Sequence, residues 1–237
     1  MTNFTGVDVA ILAGGMGTRV TSVLGDTPKA LALINGTPYL DHLLGWLDGF
    51  GVNKVVLCLG HLSDKIVAHV AGRPGVSCVV EPRPLGTGGA IKFCRDQLTG
   101  NDVLVLNGDT WLETDLGAFL RSHRNQDCPA SILCLNVDDV SRYGSVEIDN
   151  KRISMFFEKD PSRPGPGLIS AGAYLFSQKA LDQLMATQGG SLEKDFLQQQ
   201  PPASIHGFVA QSANFIDIGT PESLSQAGAV MPEGSEP

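Results

Sequence analysis

Apolar residues in the first half of the chain come in short unbroken blocks. Val7–Gly14 (VDVAILAG), Lys54–Gly60 (KVVLCLG), Val76–Pro82 (VSCVVEP) and Asp102–Asp109 (DVLVLNGD) are each too short and too continuous for an amphipathic helix. They are expected as strands buried on both faces. Between them, Pro38–Phe50, Leu62–Gly72 and Gly86–Leu98 repeat apolar positions at three and four, as Leu40, Leu43, Leu44 and Leu47 do, and are expected as helices. This alternation predicts an α/β fold: a Rossmann-like, mixed but mostly parallel sheet with helices on both sides.

After Asp127 the rhythm changes. Ala130–Val137, Gly144–Asp149, Ile153–Lys159 and Ile169–Phe176 follow one another with little helix between, which predicts antiparallel strands and a small lobe beside the parallel sheet. Ser177–Met185 and Ser191–Gln199 have helical spacing, Ser204–Ala210 that of a strand, and Thr220–Met231 that of a last helix, with Thr220 as its cap and Pro221 in its first turn. Pro161–Gly167 is expected as a loop. The organisation expected is one domain over 1–230, its first part about 7–127 and its second about 128–218, with a disordered tail over 231–237.

Composition narrows the function more than the fold. A net charge of −8 without runs of Lys and Arg argues against a nucleic-acid partner, so any phosphate must be met locally. No segment has the roughly 18 consecutive apolar residues of a membrane span, and the start lacks a basic region followed by a long apolar stretch, so a cytoplasmic protein without a membrane partner is expected. Five cysteines without a C-x-x-C pair fit reduced thiols better than disulfides or zinc. Self-association into a homo-oligomer is left open.

The stretch ILAGGMGTRV, Ile11–Val20, carries the first chemistry. A dinucleotide G-x-G-x-x-G beginning at Gly15 and Gly17 would need glycine where Val20 stands, and the triphosphatase loop G-x-x-x-x-G-K-[ST] beginning at Gly14 would need glycine where Arg19 stands. What remains is a glycine loop at the end of the first strand, whose backbone N–H groups can close on an anion. Arg19 offers a planar fork of donors, and Lys29, after Pro28, a point charge. Glycines and two cations suit a triphosphate, although the loop alone could equally be a tight turn with solvated cations.

The larger pattern is more specific. LAGGMGTR, TPKAL, EPRPLGTGGA, LNGDT, RYGSVE, FFEKD, ISAGAYLF and FIDIGTPE occur in this order between Ile11 and Glu222. Together they resemble the signature of the sugar-phosphate nucleotidylyltransferases, in look nearest to the D-glycero-α-D-manno-heptose 1-phosphate guanylyltransferases. The resemblance implies an enzyme that joins a nucleoside triphosphate to a sugar 1-phosphate and releases pyrophosphate. It implies nucleotide contacts from Leu12, Ala13, Gly14, Gly15, Gly17, Thr18, Arg19, Glu81, Leu85, Gly86, Thr87, Asn107 and Gly108, and catalytic roles for Arg19, Lys29 and Asp109. Asp109 and Asp217 fall at the family's metal positions, for Mg²⁺ with Mn²⁺ as a substitute; read singly, each is also an ordinary turn aspartate.

Base and sugar follow in the same way. Relatives that transfer thymidylyl or uridylyl groups carry glutamine where this chain has Glu81. A carboxylate can accept both the N1–H and the exocyclic amine of guanine but repels the oxygens of a pyrimidine, so GTP is favoured; the alternative is a solvated loop glutamate. The resemblance places Lys159 on the sugar phosphate and Glu158 on a sugar hydroxyl. Neighbours on a strand point to opposite faces, so both can meet one pocket only at a bulge or strand end. Gly144 and Gly172 are candidates for close backbone approach to the sugar, with Ser170 as a hydroxyl contact, although glycine in a strand also marks bulges. A phosphate monoester has a second pKa near ~6 and is already anionic, so no general base is required of the five scattered histidines. Two other readings stand: a UTP- or dTTP-dependent enzyme of the same fold, and a non-catalytic subunit that binds nucleotide sugars. With few residues after the last motif, no further catalytic domain is expected.

Overall fold

In a computed structural model, residues 4–157, 159–211 and 213–233 are described. The chain opens with β1 (Val7–Ala13), a glycine-rich turn and a short α1 (Thr21–Leu24). A hairpin of β2 (Leu33–Ile34) and β3 (Thr37–Pro38) follows, then α2 (Tyr39–Asp48), β4 (Val55–Leu59), α3 (Ser63–His69), β5 (Val76–Val80), α4 (Thr87–Phe93) and β6 (Asp102–Asn107). The hairpin is absent from the expectation above, although Asn35–Gly36, both with positive φ, is the two-residue turn that such hairpins favour.

Next come β7 (Thr110–Glu113), α5 (Leu116–Arg124), β8 (Ala130–Val137), β9 (Ser145–Asp149), β10 (Arg152–Phe157), β11 (Gly167–Ser177), α6 (Gln178–Ala186), β12 (Ile205–Val209), β13 (Asn214–Asp217) and α7 (Pro221–Val230). Helix α5 was also not anticipated; Asp115 caps it by accepting from Ala118 N–H at 2.8 Å. Ser191–Gln199 is not one regular helix but a π-helical turn over Leu192–Phe196 running into a tight turn over Leu197–Gln199. Helix α7 has the expected Thr220 cap, closed reciprocally by Ser223, a motif worth about 1 kcal/mol. It ends at Val230. Met231 is buried against the core, not part of a loose tail, and 234–237 lie outside the described residues.

Nine strands form one sheet in the order β5-β4-β1-β6-β11-β8-β12-β10-β9. The first four are parallel, as their unbroken apolar blocks require. Val9 and Ile11 of β1, with Leu104 and Leu106 of β6, face one core; Ala10, Val103 and Val105 face the other. The second half is antiparallel apart from β12, which runs parallel to β8. It also closes on itself, because β9 pairs both with β10 and with the start of β11.

Strand β11 joins the two halves. Leu168 and Ile169 pair with β9, whereas Ala173–Ser177 pair with β6. The register against β8 shifts between Ser170 and Tyr174, around Gly172 with φ +72°. A Cβ on Gly172 would lie 2.6 Å from the amide nitrogen of Asn107. The bulge alternative therefore accounts for this glycine, whose form is fixed by Asn107 and backbone twist.

Candidate active site

The loops after β1, β4, β5 and β6 meet at the carboxyl edge of the parallel strands, the usual ligand side of such a sheet. They enclose a cavity of about 400 Å³ lined by Leu12, Gly14, Gly15, Glu81, Thr87 and Asp109 among others. Gly86 and Asn107 also face it, and a small adjoining recess takes in Ala13, Lys29 and Gly108. The glycines differ in what requires them. A Cβ on Gly108 would meet the Leu12 carbonyl at 2.6 Å, so packing excludes a side chain there, whereas a Cβ on Gly15 would meet nothing within 4 Å. Bare backbone at Gly15 is not demanded by the fold.

Glu81 is held at the rim. Its Oε2 accepts from Leu85 N–H at 3.1 Å, and its backbone N–H donates to the Leu59 carbonyl at 2.8 Å. The Leu85 N–H, expected to face a base, is thus occupied in orienting Glu81. The first N–H groups of α4 are taken as well: Gly88 and Gly89 donate to the Gly190 carbonyl at 2.7 and 3.0 Å.

Asp109 and Asp217, more than a hundred residues apart in sequence, are brought together by the small β7–β13 sheet. Asp217 pairs with Thr110, and Ile218 N–H donates to the Asp109 carbonyl at 2.9 Å. Lys29 Nζ bonds Asp109 Oδ2 at 2.6 Å, so the expected catalytic lysine and metal aspartate already touch. Burial, and then the negative charge of Asp109, raise the Asp217 carboxyl above the ordinary range. The Gly219 N–H, Lys29 and Arg19 act the other way. Arg19 is exposed; with Gly17 and Thr18 it stands outside the main cavity, and its Nη2 approaches Gly219.

These residues fit a divalent cation of the magnesium kind. No group of three acidic, His or Cys side chains suited to a metal exists among the described residues. Mg²⁺, however, commonly takes one or two carboxylates and completes its shell with water and substrate phosphates. Burial and the neighbouring charge of Asp109, which raise Asp217, are what a bound cation would offset.

The cleft continues past Asn107 into the antiparallel lobe. A 200 Å³ hollow is lined by Asp217, Gly172, Ser170 and Gly144, and a 280 Å³ one by Gly144, Ser170 and Lys159. Strand β10 ends at Phe157, so Lys159 lies past the strand end, where it lines the second of these hollows. Glu158 lies outside the described residues. A Cβ on Gly144 would have its nearest neighbour at 3.6 Å, so here too the fold has room for a side chain.

Several residues of this cleft were not legible in the motifs. Glu193, on the π-helical turn, accepts from Tyr174 Oη at 3.1 Å and from Thr87 Oγ1 at 3.1 Å, and so connects the base-side turn with the sugar-side hollow. Ser170 Oγ donates to Tyr174 Oη at 3.3 Å. His61 lines the recess beside Lys29. Nothing local in the sequence marks Glu193, because its segment carries only helical spacing. The other histidines have structural partners, as when buried His123 meets Ser131 Oγ at 2.7 Å.

A family model described as Nucleotidyl transferase matches residues 9–233. The chain belongs to the nucleotidyl transferase family. It is 31% identical over 227 residues, covering 93% of this chain and 96% of the other, to a D-glycero-α-D-manno-heptose 1-phosphate guanylyltransferase of Aneurinibacillus thermoaerophilus. It is 29% identical over 239 residues to a mannose-1-phosphate guanylyltransferase of Mycobacterium tuberculosis, covering 98% of this chain and 66% of the other. The crystal structure of HddC from Yersinia pseudotuberculosis complexed with GMP-PN matches with a TM-score of 0.81 and 38% identity, over 94% of this chain and 98% of that one. The family, the nucleotidyltransferase class of enzyme and the α/β fold expected from the motifs therefore hold. No helix among the described residues is long and apolar enough to cross a membrane.

Proposed function

We propose that this nucleotidyl transferase is a cytoplasmic guanylyltransferase that joins GTP to D-glycero-α-D-manno-heptose 1-phosphate or mannose 1-phosphate. The products are a GDP-sugar and pyrophosphate. The observation that carries the reading is one continuous cleft with Glu81 at one end, the Lys29–Asp109–Asp217 group at its middle and Lys159 at the other.

At the first end, Leu85 N–H fixes Glu81, leaving carboxylate lone pairs for the two adjacent donors on guanine. Gly14 and Gly15 give the phosphates a backbone surface, and Arg19 supplies charge from the open side. Asp109 and Asp217 would hold the magnesium ion, which supplies neutralisation of the negative charge where two phosphates meet. At the far end, Lys159 positions the sugar phosphate, while Ser170, Tyr174 and Glu193 offer hydroxyl and carboxylate partners to the sugar.

The sugar phosphate is mostly dianionic at neutral pH, given a second pKa near ~6, so no side chain must remove a proton. One of its oxygens attacks the α-phosphorus as the bond to the bridging oxygen of the β-phosphate breaks, and pyrophosphate carries the charge away. Lys29, held against Asp109, is placed for that departing charge. The residues thus contribute orientation and charge neutralisation.

Pyrophosphate release tests the reading, with GTP, UTP, dTTP, CTP and ATP crossed against heptose, mannose, glucose and N-acetylglucosamine 1-phosphates. GTP-dependent release with heptose or mannose 1-phosphate is expected. Release with a pyrimidine nucleotide alone would overturn the role of Glu81, and nucleotide binding without release from any pair would favour a regulatory subunit.

A further inference from the structure

Arg142 heads the motif RYGSVE and lines the hollow of about 200 Å³ beside Asp217. Two carboxylates, Asp217 and Glu193, line the same hollow, and among the described residues Arg142 is the one cation in its wall. Lys159 lines the hollow of about 280 Å³ beyond it, and Lys29 the recess on the nucleotide side.

The guanidinium is anchored without being paired. Its carbon lies 6.0 Å from the centroid of the Tyr143 ring, at the outer reach of a cation–π contact. That ring packs edge-on against Phe215 at 5.5 Å, and Phe215 lies on β13, two residues before Asp217. Arg142 is thereby tied to the small sheet that carries Asp217. Its side chain makes no hydrogen bond or ion pair among the described residues. The nearby carboxylate of Asp139 is engaged instead by Ser141 and by the Gly165 N–H. The planar fork of Arg142 N–H groups is left for a ligand.

In-line attack requires the sugar phosphate to sit beside the α-phosphorus of the nucleotide. Asn107 lines both the nucleotide cavity and the Arg142 hollow, which makes this hollow the junction of the two sides. A mostly dianionic phosphate entering it comes between two carboxylates, and like charges oppose it unless a cation stands close by. We propose that Arg142 is a further catalytic residue, which grips the sugar 1-phosphate in this hollow while Lys159 approaches from the one beyond. Its N–H fork donates to two phosphate oxygens and leaves the third to attack. The inference rests on the sugar 1-phosphate reading above.

Calorimetric titration tests this on the wild type, Arg142→Gln, Arg142→Lys and Lys159→Met. Mannose 1-phosphate and D-glycero-α-D-manno-heptose 1-phosphate are titrated into protein loaded with Mg²⁺ and the α,β-methylene analogue of GTP, whose α–β bridge cannot break. Binding of the analogue is measured separately. Arg142→Gln is expected to bind the sugar phosphate about thirtyfold more weakly, the scale of hydrogen bonds to a charged group, and the analogue as the wild type does. Arg142→Lys should recover part of the loss, since it keeps the charge without the planar fork. Wild-type affinity for the sugar phosphate in Arg142→Gln overturns the inference; affinity lost in Lys159→Met at the same time would leave the reading beneath it intact. Weaker binding of the analogue by Arg142→Gln also overturns it, as does an Arg142→Lys no better than Arg142→Gln, because the residue would then serve the nucleotide or local packing. No binding of either sugar phosphate by the wild type overturns the sugar 1-phosphate reading itself.

Discussion

The two halves of the cleft are built by different means. On the nucleotide side, parallel strands end at one edge, and each delivers a short glycine-bearing loop; the site is the sum of local turns, at Gly14–Gly15, Glu81–Gly86 and Gly108–Asp109. On the sugar side, antiparallel strands curl into a closed lobe. There the site is a network of side chains from β11 and the π-helical turn, Ser170 to Tyr174 to Glu193. Parallel strands bring their loops to a common edge by topology alone, whereas the lobe depends on a bulge at Gly172 and on Glu193 reaching across to Thr87. Changes on the first side should therefore act on chemistry and base choice, and changes on the second on the sugar and on communication between the halves.

The largest effect is expected where the halves meet. Asp217→Asn should lower kcat by about 10²–10³-fold in a pyrophosphate-release assay, the scale for losing one preorganised electrostatic group. A variant that kept near-normal turnover would remove Asp217 from the centre of the comparison. Next, Glu81→Gln should shift the kcat/KM ratio of GTP over UTP by roughly ten- to a hundredfold toward UTP, with the sugar KM unchanged, as suits loss of a charge-assisted hydrogen-bond pair. A change in sugar KM instead would mean that the two ends are not separable.

Smaller effects probe the lobe. Glu193→Gln should raise the sugar 1-phosphate KM about tenfold. Because Glu193 also holds Thr87, it should disturb the GTP KM as well. Tyr174→Phe, which removes only the hydroxyl between Ser170 and Glu193, should raise the sugar KM about fivefold and leave the GTP KM alone. The contrast between these two variants isolates the link between the halves.

The smallest expected change concerns stability. The Asp217 carboxyl is raised above its unfolded value, so its contribution to stability is fully present below the unfolded pKa near ~3.9 and is lost as pH rises through the folded value. Metal-free Asp217→Asn should therefore melt higher than wild type at pH 7, by about 2–4 °C for each kcal/mol relieved. The gain should shrink toward pH 4. Thermal melts across that range check the sign; a variant less stable than wild type at pH 7 would mean that the aspartate serves folding, not function.

The sequence by itself determined the parallel half. Strands buried on both faces must be apolar throughout, and a loop that admits phosphate must be bare, so both leave short, contiguous marks such as VDVAILAG and GGMGTR. It also carried the ordered motifs that place Asp109 and Asp217 in one family pattern. Tertiary structure alone decided what lay beyond any local window. Only the pairing of β7 with β13 sets Asp217 beside Asp109, and only the packing of α2 leaves the Tyr39 hydroxyl buried without a hydrogen-bond partner among the described residues. The turn at 190–193 occupies the Gly88 and Gly89 N–H groups of α4 and places Glu193 between the two halves. Periodicity reports which face of an element is buried; it carries no information about which distant group a polar side chain on that face will meet.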